Sequence, residues 1–181
     1  MLANGTLLQE RYRIKRLLAQ GGMGAFYEAE AVHLGNAQVA VKQTFFSEQQ
    51  RTMREQFERE AATMARLRHP ALPRVSDHFV EGGEQFLVME FVPGADLLTL
   101  LQRRGRPFDR RLVMTWAETL LDALDYIHTR YPPVIHRDIK PQFRSALRYQ
   151  DAPDARSLIY SQSLYPSVFT LSLARTPASA H

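Results

Sequence analysis

The sequence predicts an α+β fold, a mostly antiparallel β first part followed by helices. Three observations predict it. Short segments of period-2 alternation, separated by glycine turns, recur up to Glu90. One amphipathic helical segment, Glu48–Arg68, interrupts them. Beyond Glu90 the apolar spacing changes from two to three and four, the mark of helices packing one face inward.

The elements follow in order. Tyr12–Leu18 is a short strand, and Gly21, Gly22 and Gly24 mark the turn after it. Ala25–Val32 and Gln38–Gln43 are the next two strands. In the helix Glu48–Arg68, Phe57, Met64 and Leu67 share a face with Met53, and His69-Pro70 ends it. Val75–Val80 and Gln85–Glu90 form a pair of strands around Gly82-Gly83. Asp96 is placed to cap a short helix through Arg104, with Gly105 past its end. Arg110–Tyr131 is a long amphipathic helix whose Val113, Trp116, Leu120, Leu124, Ile127 and Tyr131 recur at spacings of three and four, and Pro132-Pro133 stops it.

Composition narrows the function. The chain has 181 residues, 45% apolar and 23% charged, as in ordinary globular proteins. It has no cysteine, which excludes disulfide scaffolds, thiolate metal sites and cysteine nucleophiles. It has no apolar run of about 18 residues, so no membrane segment is expected in it. A signal peptide pattern is missing from its start, and a cytoplasmic location is the expectation. The net charge is +4, and half of it falls in residues 143–181, which hold four Arg and two Asp; no nucleic-acid partner is expected from it. Those residues contain seven Ser and no Gly, Lys or Glu, a shift in composition that places a boundary near Gln142.

Four features carry chemistry. The run Ala19-Gln20-Gly21-Gly22-Met23-Gly24 lies between two strands, where glycines let backbone N–H groups approach and cradle an anion. Alone, it also fits a plain hairpin turn. Lys42, in Val39-Ala40-Val41-Lys42, shares a strand face with Ala40 and reaches a phosphate if that face lines a cleft; alone, it also fits an exposed strand lysine. Glu60 lies within the apolar stripe of its helix, three residues after Phe57. A carboxylate there needs a cationic partner such as Lys42, unless it sits at the stripe edge. Val134-Ile135-His136-Arg137-Asp138-Ile139-Lys140-Pro141 puts an aspartate able to accept a hydroxyl proton two residues from a lysine able to neutralise a phosphoryl group. A lone D-x-K is also compatible with a solvated turn. His33, His78 and His128 lack metal-ligand spacing, and His69, Trp116 and the methionines read as structural. Arg103, Arg104, Arg106, Arg110 and Arg111 form a basic stretch, a solvated loop or a peptide- or phosphate-docking site.

In this order and spacing, the glycine loop, V-A-V-K and H-R-D-I-K-P resemble the first half or more of a protein kinase domain of the bacterial serine/threonine type, over about residues 8 to 142. The resemblance implies a kinase-like fold: an antiparallel β-sheet N-lobe with helix C and an incomplete helical C-lobe. It implies residues 1–11 as a lead-in, 12–91 as the N-lobe, 92–142 as the hinge and start of the C-lobe, and 143–181 as a non-matching tail. It implies ATP as cofactor, Mg2+ as the family's metal, and an unidentified protein substrate. Gly21, Gly22 and Gly24 match the loop over the phosphates, Ala19 standing where its first glycine is usual. Leu18, Phe26 and Ala40 would line the adenine pocket, Phe26 where valine is usual. Lys42 resembles the phosphate-binding lysine and Glu60 its ion-pair partner. Met89 would be the gatekeeper, the backbone of Glu90 and Val92 would bind adenine, and Asp96 resembles the acid near the ribose. Asp138 resembles the catalytic base, Lys140 the lysine on the γ-phosphate, and Arg137 the arginine that pairs with a phosphorylated activation loop.

After Pro141 the pattern stops. Phe143 stands where the family has its magnesium-binding asparagine, and with no glycine in 143–181 there is no D-F-G. No metal site is therefore expected, and the chain is expected to be inactive or nearly so. The tail reads as the wrong frame after a one-base change near codon 142, as a divergent hairpin around Asp151-Ala152-Pro153-Asp154, or as a serine-containing coil. A nucleotide-binding pseudokinase and a non-functional gene fragment are the alternatives to an active enzyme.

Overall fold

The computed structural model describes residues 1–21, 24–45, 58–59, 61–95, 97–131 and 133–134. Six strands form one antiparallel sheet: β1 (Leu7–Leu8), β2 (Tyr12–Gly21), β3 (Gly24–Ala31), β4 (Ala37–Thr44), β5 (Val75–Glu81) and β6 (Glu84–Glu90). Their order is β1-β2-β3-β4-β6-β5. A 3-10 turn, Val32–Leu34, joins β3 to β4. Two helices follow the sheet, α1 (Leu97–Arg104) and α2 (Arg110–His128).

Period-2 alternation gives the sheet two apolar faces. On one face Tyr27, Ala29, Val41, Phe86 and Val88 are buried with Leu8, Tyr12 and Ile14. On the other, Phe26, Ala40, Leu87 and Met89 join Met64, Leu72, Trp116 and Ile127. Among the described residues one face packs against Met64, Leu72 and α2, and the other is covered by the sheet itself. The sheet does so by curling: the start of β2 reaches β5, although β3, β4 and β6 lie between them in the strand order. Tyr12 stacks on Phe79 at 5.8 Å and donates to Asp77 at 2.7 Å, and Arg11 pairs with Asp77 at 2.9 Å. Inside the curl, Leu2 N–H donates to the Tyr27 hydroxyl, which donates to Gln43, whose amide donates to Glu84.

Some bounds differ from those the sequence predicts. The strand Tyr12–Leu18 continues to Gly21, because Ala19, Gln20 and Gly21 pair with Phe26, Ala25 and Gly24. Val32 leaves its strand for the 3-10 turn. The segment predicted as a helix to Arg68 is helical at 58–59 and 61–64 among the described residues. It then tightens: Arg66 N–H donates to Thr63 and Leu67 N–H to Met64, while the Arg68 guanidinium caps the Ala65 and Leu67 carbonyls. The long helix stops at His128 rather than Tyr131, and the Thr129 hydroxyl donates to the Asp125 and Tyr126 carbonyls at its end. Its buried line runs through Trp116, Ala123 and Ile127, which leaves Val113 43% exposed and Tyr131 fully exposed, against the predicted stripe. The two-residue strand β1 lies within the lead-in, where no element is predicted.

The sheet meets α2 through the segment after Met64. His69 Nδ1 accepts from Ala71 N–H at 3.1 Å, which leaves Nε2 to face Asp122 at 2.9 Å. Arg68 N–H donates to the Tyr126 hydroxyl at 2.9 Å. His69 is thus structural, as its sequence context predicts. No helix among the described residues is long and apolar enough to cross a membrane.

Candidate functional site

The site is built on the face of the sheet that carries Phe26, Ala40 and Met89. In β4 the alternation buries Val39 and Val41 inside the curl and turns Ala40 and Lys42 the other way. The register then aligns rows across three strands. Phe26 on β3, Lys42 on β4 and Leu87 on β6 form one row. Ala40 pairs with Met89 in the next. Val92, just past β6, is buried in the same apolar cluster, and Leu18 and Ala19 pack against it.

Leu18 reaches this face through a bulge. The pairing of β2 with β3 slips between Leu17 and Ala19, leaving Leu18 opposite no residue. Leu17 stays exposed, while Leu18 and Ala19 turn toward the cluster of Phe26 and Ala40.

Lys42 is 6% exposed, and its Nζ lies 5.7 Å from the centre of the Phe26 ring. An ammonium in so apolar a setting is costly unless charge or dipoles answer it. Its charge places a cation in the same row as Phe26 and Leu87.

The two described glycines of the loop have different surroundings. Gly21 and Gly24 are the closing pair of the β2–β3 hairpin. A Cβ on Gly24 would come within 2.2 Å of the Gln43 carbonyl oxygen, so close strand packing demands glycine there. A Cβ on Gly21 would meet nothing within 4 Å, so this backbone borders open space. Glu90 N–H is bonded to the Arg74 carbonyl at 2.8 Å, so a base reaching Glu90 meets its carbonyl rather than its amide.

The structure thus brings Leu18, Ala19, Phe26, Ala40, Lys42, Met89 and Val92 to one face, with Gly21, Gly24 and Glu90 at its ends. Gly22, Glu60, Asp96, Asp138 and Lys140 lie outside the described residues, as do Arg137 and Phe143. Sequence reading does not single out Leu87 or Thr44. Leu87 lies beside Lys42, and the Thr44 hydroxyl is buried two residues beyond it, opposite Gly24, with no hydrogen-bond partner among the described residues. Extending the period-2 count from Ala40 and Lys42 finds Thr44; only the strand register finds Leu87. Among the described residues no three His, Asp or Glu are grouped to hold a metal ion.

Comparison with known proteins agrees with this geometry. The model of the protein kinase domain family matches residues 12–143. Serine/threonine-protein kinase B of Synechocystis sp. is 38% identical over 144 residues, covering 76% of this chain and 25% of that protein. Serine/threonine-protein kinase pkn2 of Myxococcus xanthus is 39% identical over 144 residues, 78% of this chain and 17% of its own length. PknA of Mycobacterium tuberculosis is 39% identical over 144 residues, 76% of this chain and 32% of its own. The chain therefore spans a third or less of the length of these relatives.

Proposed function

The chain belongs to the protein kinase domain family, with the antiparallel sheet and following helices of that fold, and from this premise we propose that it carries the ATP-binding half of a serine/threonine protein kinase and does not itself transfer phosphoryl groups. One observation carries the binding reading. Leu18, Phe26, Ala40, Met89 and Val92 converge with a nearly buried Lys42 on one sheet face, beside an open glycine backbone. Those are the residue types that receive a flat base, next to a cation suited to phosphate.

Bound ATP supplies the phosphoryl donor. The apolar residues exclude water from the base, and Lys42 neutralises phosphate charge. Gly21 and Gly22 leave room for the backbone to approach the phosphates. By the family resemblance Glu60 would be the ion-pair partner of Lys42, and Asp96 the acid near the ribose. In an active relative, residues matching Asp138 and Lys140 accept the hydroxyl proton and neutralise the transferring group. Their substrate class, serine or threonine hydroxyls of proteins, is part of the proposal. So are the divisions 12–91 and 92–142 into two lobe segments.

The second half of the proposal rests on sequence. Phe143 replaces the asparagine, and residues 143–181 contain no Asp-Phe-Gly, so this chain's residues do not make up the family's magnesium set. Titrating the full chain with a fluorescent ATP analogue tests both halves. Binding is expected, and Lys42→Met is expected to weaken it about ten- to hundredfold, the loss of one charge-assisted contact. With ATP, magnesium and a serine-rich acceptor peptide, no transfer is expected; transfer that Asp138→Asn abolishes would overturn the inactivity. A chain that binds no nucleotide and shows no cooperative unfolding is instead a non-functional fragment.

A further inference from the structure

The segment from the end of α1 to the start of α2 is rich in arginine. Arg103, Arg106, Arg110 and Arg111 are all exposed, and none makes an ion pair among the described residues. The one acid of the segment, Asp109, is occupied as N-cap of α2, accepting from Arg111 N–H at 2.8 Å and Leu112 N–H at 3.4 Å. Two arginines therefore occupy a first helical turn that contains no acidic residue, where the helix dipole disfavours cations.

The display is rigid. Gly105 takes a positive φ of 63° and its N–H donates to the Leu101 carbonyl at 3.0 Å, which ends α1 in a fixed turn. Phe108 packs edge-on against buried Trp116 at 5.0 Å, and the Arg104 guanidinium lies over the Phe108 ring at 5.5 Å. The outward arginines thus project from an anchored segment, which lowers the ordering cost of binding. Exposed apolar side chains lie alongside in sequence: Val113, and Met114 at 51%.

We infer that this turn is a docking surface for an acidic segment of a protein partner, its carboxylates pairing with Arg103, Arg106, Arg110 and Arg111. The guanidinium fork suits carboxylates in bidentate geometry. Arginine and methionine side by side match the composition of protein interfaces. A nucleic acid would track a longer basic path than this single turn. The inference stands on residues outside the nucleotide face and does not depend on that reading.

The probe is a labelled twelve-residue peptide of glutamates with two leucines, followed by fluorescence anisotropy with the full chain. Binding is expected, weakening as salt rises and screens the exposed charges. The triple variant Arg103→Gln, Arg106→Gln, Arg110→Gln is expected to lose about tenfold in affinity, the sum of three exposed ion pairs. Arg13→Gln, Arg66→Gln, Arg74→Gln removes the same charge elsewhere and is expected to stay within about twofold, since distant screened charges contribute little. Equal losses in the two triple variants would overturn the inference, as would no binding by the parent chain. So would tighter binding of a single-stranded DNA of equal charge, or of phosphatidylglycerol vesicles, reduced by the first triple variant. The pairwise variant Arg110→Gln, Arg111→Gln removes cations from the start of α2 and is not expected to unfold the chain; it must also weaken binding.

Discussion

Gly21 and Gly24 close the same hairpin, yet a methyl group at each would meet different surroundings. At Gly24 it would collide with the Gln43 backbone, which can move only by parting β3 from β4. Gly24→Ala is expected to destabilise the chain by about 1 to 3 kcal/mol, the range for forcing atoms into packed space, read from urea midpoints. Gly21→Ala is expected to change stability by less than about 0.5 kcal/mol while weakening binding of the ATP analogue. A Gly21 variant as unstable as the Gly24 one would show that the loop's glycines serve only the hairpin. Lys42 makes the complementary case. Its type and strand parity were legible in V-A-V-K, but its burial depends on Phe26 and Leu87, which flank it only after the strands pair.

At the scale of elements, periodicity located β2 to β6 and α2, cap and glycine signals located α1, and β1 had no such signal, while local hydrogen bonds decided where the elements end. Asp109 shows the difference. It precedes Arg110-Arg111, a poor helix start by charge, and its carboxylate offsets this by accepting two backbone N–H groups. Asp109→Ala is expected to cost about 1 kcal/mol, and Asp109→Asn, which keeps the acceptor, clearly less; thermal unfolding of the two variants checks the order. The bulge at Leu18 was not legible, because Leu17-Leu18-Ala19 reads as an apolar run without a face. Slipping one residue sends Leu17 to solvent and Leu18 to the site. The stripe of α2 was read from Val113 and Tyr131 as well as Trp116, but Val113 lies at its edge and Tyr131 lies past the end of the helix.

The whole molecule depends on the curl that joins the first and last parts of the sheet. Tyr12 is its fastening: its ring stacks on Phe79 and its hydroxyl donates to Asp77. Burial first, and then the Asp77 hydrogen bond and charge, push the Tyr12 phenol above its ordinary value of 10.0. The folded state therefore holds this proton more tightly than the unfolded chain. Its contribution is complete below about pH 10 and falls as pH rises further, while the unfolded phenol ionises and the folded one does not. Tyr12→Phe is expected to lower stability near pH 7 by about 1 to 2 kcal/mol, the size of a hydrogen bond to a carboxylate, and to flatten the decline above pH 10. Urea unfolding of both proteins at pH 7 and above pH 10 tests this; an unchanged alkaline slope would place the decline elsewhere.

By itself the sequence determined the α+β class, the order of β2 to β6 and the two helices, and most of the residues now gathered on one face. These are local matters: alternation, helical spacing, glycine turns and caps act between near neighbours in the chain. Tertiary structure decided what those patterns leave open. Register placed Lys42 between Phe26 and Leu87, a bulge turned Leu18 inward, and the curl buried Tyr12 against β5. Each of these depends on segments far apart in sequence meeting at one spacing, and no local pattern encodes that spacing.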